Sequence, residues 1–144
     1  MPVSVSSTCS STTVEIYTCP PDAGFALDTC NTFTKGNATA QHTGVISSSA
    51  YTPNCCNSNV HRLVLTENIT INAPINALSG QVMNFIIKQN GTGGYTVTWN
   101  SIFKFPGATV PTITATANAV DVVTMQYDAT DQVWYCVASQ DLRR

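Results

Sequence analysis

A chain of 144 residues can bury one hydrophobic core with a small appendage beside it, and it is too short for two full domains. Charged residues make up 10% of it and the formal net charge is -2, so it has neither a basic field to gather nucleic acid nor an acidic tail. With 21 Thr, 12 Asn and 12 Ser against six Lys plus Arg, the composition suits strands and tight turns rather than exposed helices, and an all-β fold is expected.

The chain opens on "MPVSVSSTCSS", which lacks the basic and apolar regions of a secretory signal. No apolar run approaches the roughly 20 residues of a membrane span, so no membrane partner is expected. Residues 1–60 are irregular, with "CPPDAG" and "SSSAYTPNCCNSN", and their apolar residues are sparse. At about 1.5 to 3 kcal/mol per buried large side chain, Val14, Ile16, Tyr17, Phe25, Leu27, Phe33, Val45, Ile46 and Tyr51 do not offset the entropy of ordering such a segment. Covalent staples worth about 2 to 4 kcal/mol each would make up the difference. The expectation is therefore a disulfide framework drawn from Cys9, Cys19, Cys30, Cys55, Cys56 and Cys136. A bond between the neighbours Cys55 and Cys56 is strained and set aside. Cys136 is either bonded to the N-terminal unit or a buried free thiol. Such frameworks belong to oxidising surroundings, which without an export signal suggests synthesis in a cytosol and oxidation after release.

From His61 onward, short runs of β-branched and aromatic residues alternate with turn signals. "HRLVLT", "ITIN", "VMNFIIKQ", "YTVTW", "TITAT", "AVDVVTMQYD" and "QVWYCVA" predict about seven strands. Period-two alternation is clear in Tyr95-Val97-Trp99 and in Val123-Met125-Tyr127. Two packed sheets would hide these faces, so residues 61–144 are expected to form an antiparallel, jelly-roll-like β-sandwich, beside a disulfide-stapled, loop-rich unit over residues 1–60. Within "QNGTGGYTVTW" no helix start and no Lys-Ser or Lys-Thr pair follows the glycines, which excludes a phosphate loop. Asn90, Gly91, Gly93 and Gly94 are expected to form a hairpin turn instead.

Catalytic and metal chemistry find little footing. His42 and His61 fit no zinc spacing, nor do the cysteines. Of the acids Glu15, Asp22, Asp28, Glu67, Asp121, Asp128, Asp131 and Asp141, most fall in loop or turn positions, and no pair is singled out by an apolar setting as the acids of a glycosidase would be. No nucleophile motif is present. Trp99, Phe103, Phe105, Tyr127, Trp134 and Tyr135 could form a platform for sugar, but alternation reads them as core. The sequons at Asn37, Asn68 and Asn90 are chance matches in a chain rich in Asn and Thr. No catalytic, cofactor-binding or metal residue is expected.

"ITINAP" followed by "GQVMNFIIKQNGTGGYTVTWNSIFKFPGATVPTITATANAVDVVTMQYDATDQVWYCVASQDL" resembles a β-sandwich module of tailed-bacteriophage virion proteins. That pattern runs through Q-D/N-G-T-G-G-x-T-V-T-W, then W/F-P-G-G-x-x-P-T-L-T and A-N-A-V-D, to a closing W-Y strand. The resemblance spans roughly residues 63–142; Ala108 stands where the pattern has a second glycine, and Cys136 intrudes in the last strand. It implies a virion protein made in bacterial cytoplasm, commonly trimeric, and borne on tail fibres, head fibres or the capsid surface. Since a fibre would carry an attachment domain and shaft in a longer chain, the expectation is a capsid decoration (cement) protein on the outer capsid. Its partners would be the major capsid protein and its own copies in a homotrimer, held by hydrogen bonds and shape rather than ion pairs. The alternatives are a receptor-binding fibre tip and a virion-associated polysaccharide depolymerase.

Overall fold

The computed structural model describes residues 40–142 together with the backbone of two short N-terminal strands. Those two, β1 (Val3–Ser6) and β2 (Thr13–Ile16), form an antiparallel pair with Val3 opposite Ile16. The chain divides into two compact units, Met1–Ala38 and Thr39–Arg144. Residues 40–60, expected in the N-terminal unit, are therefore part of the second, where they supply two strands. The expected staples Cys9, Cys19 and Cys30, and with them Asp22, Asp28 and Asn37, lie outside the described residues, and of Glu15 only the backbone is described.

In the second unit, β3 (His42–Thr43), β5 (Val60–Leu65), β7 (Val82–Gln89), β10 (Val120–Asp128), β11 (Val133–Ser139) and β9 (Phe103–Lys104) form a six-stranded sheet in that order. A three-stranded sheet runs β4 (Ala50–Tyr51), β6 (Ile69–Ile71), β8 (Val97–Trp99). From β3 to β8 the chain alternates between the sheets, and each strand lies parallel to the one before it in its own sheet. A parallel neighbour needs a crossover, and here the crossover is a strand of the opposite sheet, as in a coil of stacked rungs. Only at β10 does the direction reverse: β10 pairs antiparallel with β7 and with β11.

The all-β class holds, while the antiparallel, jelly-roll-like connectivity is corrected. Alternation identifies which side chains of a strand are buried, and it is blind to the direction of the neighbouring strand. Thus Val123 and Met125 of the alternating run, and on the neighbouring strands Leu63, Leu65, Met83, Phe85 and Ile87, are fully or almost fully buried. They join Tyr51, Ile69, Ile71 and Trp99 of the smaller sheet in one apolar cluster. "TITAT" is a second correction: residues 112–116 form no strand, because side chains occupy the backbone groups that a ladder would use.

Candidate functional site

Two buried polar clusters interrupt this core. The first joins the early rungs. His61 on β5 is fully buried, its Nε2 lies 2.9 Å from the Ser58 carbonyl and its Nδ1 2.7 Å from the Tyr51 hydroxyl. A carbonyl only accepts, so Nε2 carries the proton and Nδ1 accepts from Tyr51, which defines a neutral tautomer. Burial lowers the His61 pKa, opposed by the Ser58 carbonyl and reinforced by the nearby His42 ring. Burial and the adjacent Cys55 push Tyr51 up to about 12. With both ring nitrogens engaged, His61 has none left for a metal, and among the described residues no group of three His, Cys, Asp or Glu side chains gathers for one. Gly44 closes the cluster, since a Cβ there would overlap Leu63 and Tyr51.

The second cluster ties the motif pieces together. Gln89 donates from Nε2 to the carbonyls of Tyr95 (2.7 Å) and Thr114 (3.0 Å) and accepts from the Tyr95 N–H at 3.2 Å. Asp121 accepts from the N–H groups of Thr114 (2.6 Å) and Asp141 (2.8 Å). Asp121, in the strand run "AVDVVTMQYD" rather than a turn, is 1% exposed and structural. Its position in the alternation, two before Val123 and four before Met125, marks it as inward.

The glycine run is also corrected. β7 and β8 belong to different sheets, so residues 90–94 form an arch between layers and no hairpin. Asn90 Oδ1 receives the N–H groups of Thr92 and Gly93, at 2.8 and 3.0 Å. Gly93 has φ +73°, and a Cβ on it would lie 2.5 Å from the Ala115 carbonyl oxygen and 2.7 Å from Ala117 N. Gly94 donates to that same carbonyl at 2.7 Å. The Asn68 amide oxygen binds the Thr96 N–H, so the two sequon asparagines within the described residues have backbone roles.

Cys55 and Cys136 are buried free thiols, which corrects the expected disulfide at Cys55 and, of the two alternatives at Cys136, sets aside the bond. Cys136 faces the core opposite Met125, and its Sγ donates to the Trp134 carbonyl at 3.2 Å. Burial raises the pKa of Cys136 to about 12 and of Cys55 to about 11. Cys56 is not among the free thiols.

The outer surface holds the remaining candidates. Trp99, Phe103, Phe105 and Trp134 are buried, and Tyr127 packs on Trp134 with ring centroids 5.1 Å apart. That leaves Tyr135, 51% exposed and bonded through its hydroxyl to Asp131, as the open ring of the proposed platform. It borders a cleft of about 330 Å³ shared with Ser79, Gln126 and Asp128. A larger cleft, about 520 Å³, lies on the outer face of β5 and β7. The Asp128 carboxylate is occupied by the N–H groups of Thr130 and Asp131, and Glu67 accepts from the Ser49 hydroxyl. Among the described residues no helix is long and apolar enough to cross a membrane.

These features define a β-stranded module in which Gln89 and Asp121 are spent on holding loops and His61 on joining strands. Over residues 51–132 the chain matches the family model described as "Putative phage tail fibre C-terminal domain", and it belongs to that family. It is accordingly a structural protein of the phage virion. No curated protein and no solved structure matches it.

Proposed function

We propose that this chain is a terminal module of a phage tail fibre, acting by attachment and not by turnover. The family match over more than half of the chain carries this reading. The outer face of the six-stranded sheet supports association of copies. Val82 and Tyr135 flank Gln126 in register and Val137 pairs with Thr124, so partly exposed apolar side chains form a patch at one end of that face. An exposed apolar patch of this kind would be covered by neighbouring copies gathered about a three-fold axis, as in a homotrimer. Cys9, Cys19, Cys30 and Cys56 are the cysteines left for a disulfide framework, and peptide mapping without reduction would identify their partners.

Labelled-antibody electron microscopy of the particle tests the reading: signal confined to the tail is expected. Signal over the whole head, with the major capsid protein as partner, would instead establish capsid decoration, a role favoured by the low charge and the abundance of short polar side chains.

A further inference from the structure

We propose that the cleft between Arg62, Lys88 and residues 116–120 binds an acidic sugar of the bacterial surface, one bearing a carboxylate or a phosphate. This deepens the fibre reading and rests on it.

Arg62 on β5 and Lys88 on β7 both point to the outer face. The register sets Arg62 against Ile86 and Lys88 against Val64, so the two cations are diagonal neighbours on adjacent strands. Both are half-buried. Neither takes part in an ion pair or a side-chain hydrogen bond among the described residues, whereas Lys104 elsewhere donates to the Ser101 carbonyl at 2.7 Å. Two like charges held side by side and partly withdrawn from water repel each other, and an anion placed between them reverses the sign of that interaction. The guanidinium offers a planar fork and the ammonium a point charge, the combination that suits a carboxylate or a phosphate.

The walls suit the rest of a sugar. The volume of about 520 Å³ falls in the range of small-ligand sites, about 300 to 1,000 Å³. Thr116 and Asn118 line it with exposed polar side chains, and Ala117, Val120 and Leu142 supply apolar surface. The wall is fixed in advance: Asn118, at φ +61°, donates its N–H to the Asn90 carbonyl at 3.0 Å, Ala119 donates to Thr116 at 3.0 Å, and Leu142 donates to Val120 at 2.8 Å. Two cations in a chain of net charge -2 do not make a nucleic-acid surface.

The test is amide chemical-shift titration of the full chain with glucuronic acid, glucose 6-phosphate and glucose. Shifts at residues 62, 88 and 116–120 are expected with one or both acidic sugars, diminishing as salt is raised, and none with glucose; the two acids separate carboxylate from phosphate recognition. The Arg62→Gln, Lys88→Gln double variant should weaken binding about tenfold or more. The single variants serve if the double one does not fold, and Lys104→Gln should bind as the parent does. Equal shifts with glucose, no shifts at the cleft, or undiminished binding by a folded double variant would overturn the proposal. So would loss of oligomers in that variant, which would assign the cations to a carboxylate of a second copy. Antibody signal on the tail with no sugar binding sinks only this inference; sugar binding with signal on the head sinks only the fibre reading.

Discussion

The two buried polar clusters solve one problem in opposite ways. Around His61, a side chain bonds another side chain, Tyr51, inside the parallel rungs, and burial favours the neutral imidazole. Around Gln89 and Asp121, side chains bond main chain, replacing a sheet ladder for residues 112–116, while the arch at 90–94 bonds Ala115 through Gly94 and Asn118 through Asn90. Register places the two sites four residues apart along β7, with His61 opposite Phe85 and Leu65 opposite Gln89. The difference teaches that a polar group buried to orient a strand is exposed to titration, while one buried to hold a loop is exposed to truncation.

The strongest test of that contrast is Asp121→Ala, which leaves the N–H groups of Thr114 and Asp141 without their acceptor and should destabilise by about 3 kcal/mol in urea unfolding. Asp121→Asn, retaining one acceptor oxygen, should lose less. Gly93→Ala follows, at about 2 to 3 kcal/mol, because positive φ and a backbone collision act together. A loss under about 0.5 kcal/mol would mean that the arch yields easily.

At the other cluster the signature is pH. The folded His61 pKa lies below its ordinary value, so below about pH 6.5 the unfolded chain binds a proton that the folded one resists. Its contribution is therefore fully present above that pH and is lost as pH falls through the depressed folded value. Unfolding midpoints should be level from neutral pH down to about 6.5 and then decline, and His61→Phe should flatten that decline. An unchanged slope in the variant would place the acid sensitivity elsewhere. The smallest effect is expected at the thiols: Cys55 and Cys136 should resist alkylation at pH 8 in the folded protein and react once it is denatured, as read by mass spectrometry.

Much of this was legible in advance. The runs at 60–65, 82–89, 120–128 and 133–139 are strands close to where β-branched alternation puts them, and Trp99, Phe103, Phe105 and Trp134 are core, as the same parity says. Parity also marks His61, Gln89 and Asp121 as inward, each in step with Leu63, Ile87 or Val123 on its own strand. Their partners were not legible, since Gln89 to Thr114 and Asp121 to Asp141 are pairings across a folded core. The two-residue strands β3, β4 and β9 carry no periodicity of their own and exist because a longer neighbour offers them an edge. Nor could spacing show Arg62 and Lys88 on one cleft, since each reads singly as a surface cation.

By itself, then, the order of residues determined which segments extend, which faces are greasy, and that the 63–142 stretch resembles a phage virion module, because pleat and side-chain chemistry are local properties. Strand direction, the arch where a hairpin was expected, the free state of Cys55 and Cys136, and the meeting of two cations at one cleft were decided only by the tertiary structure. Each of these depends on which distant segment arrives alongside, and that is settled by the packing of the whole core.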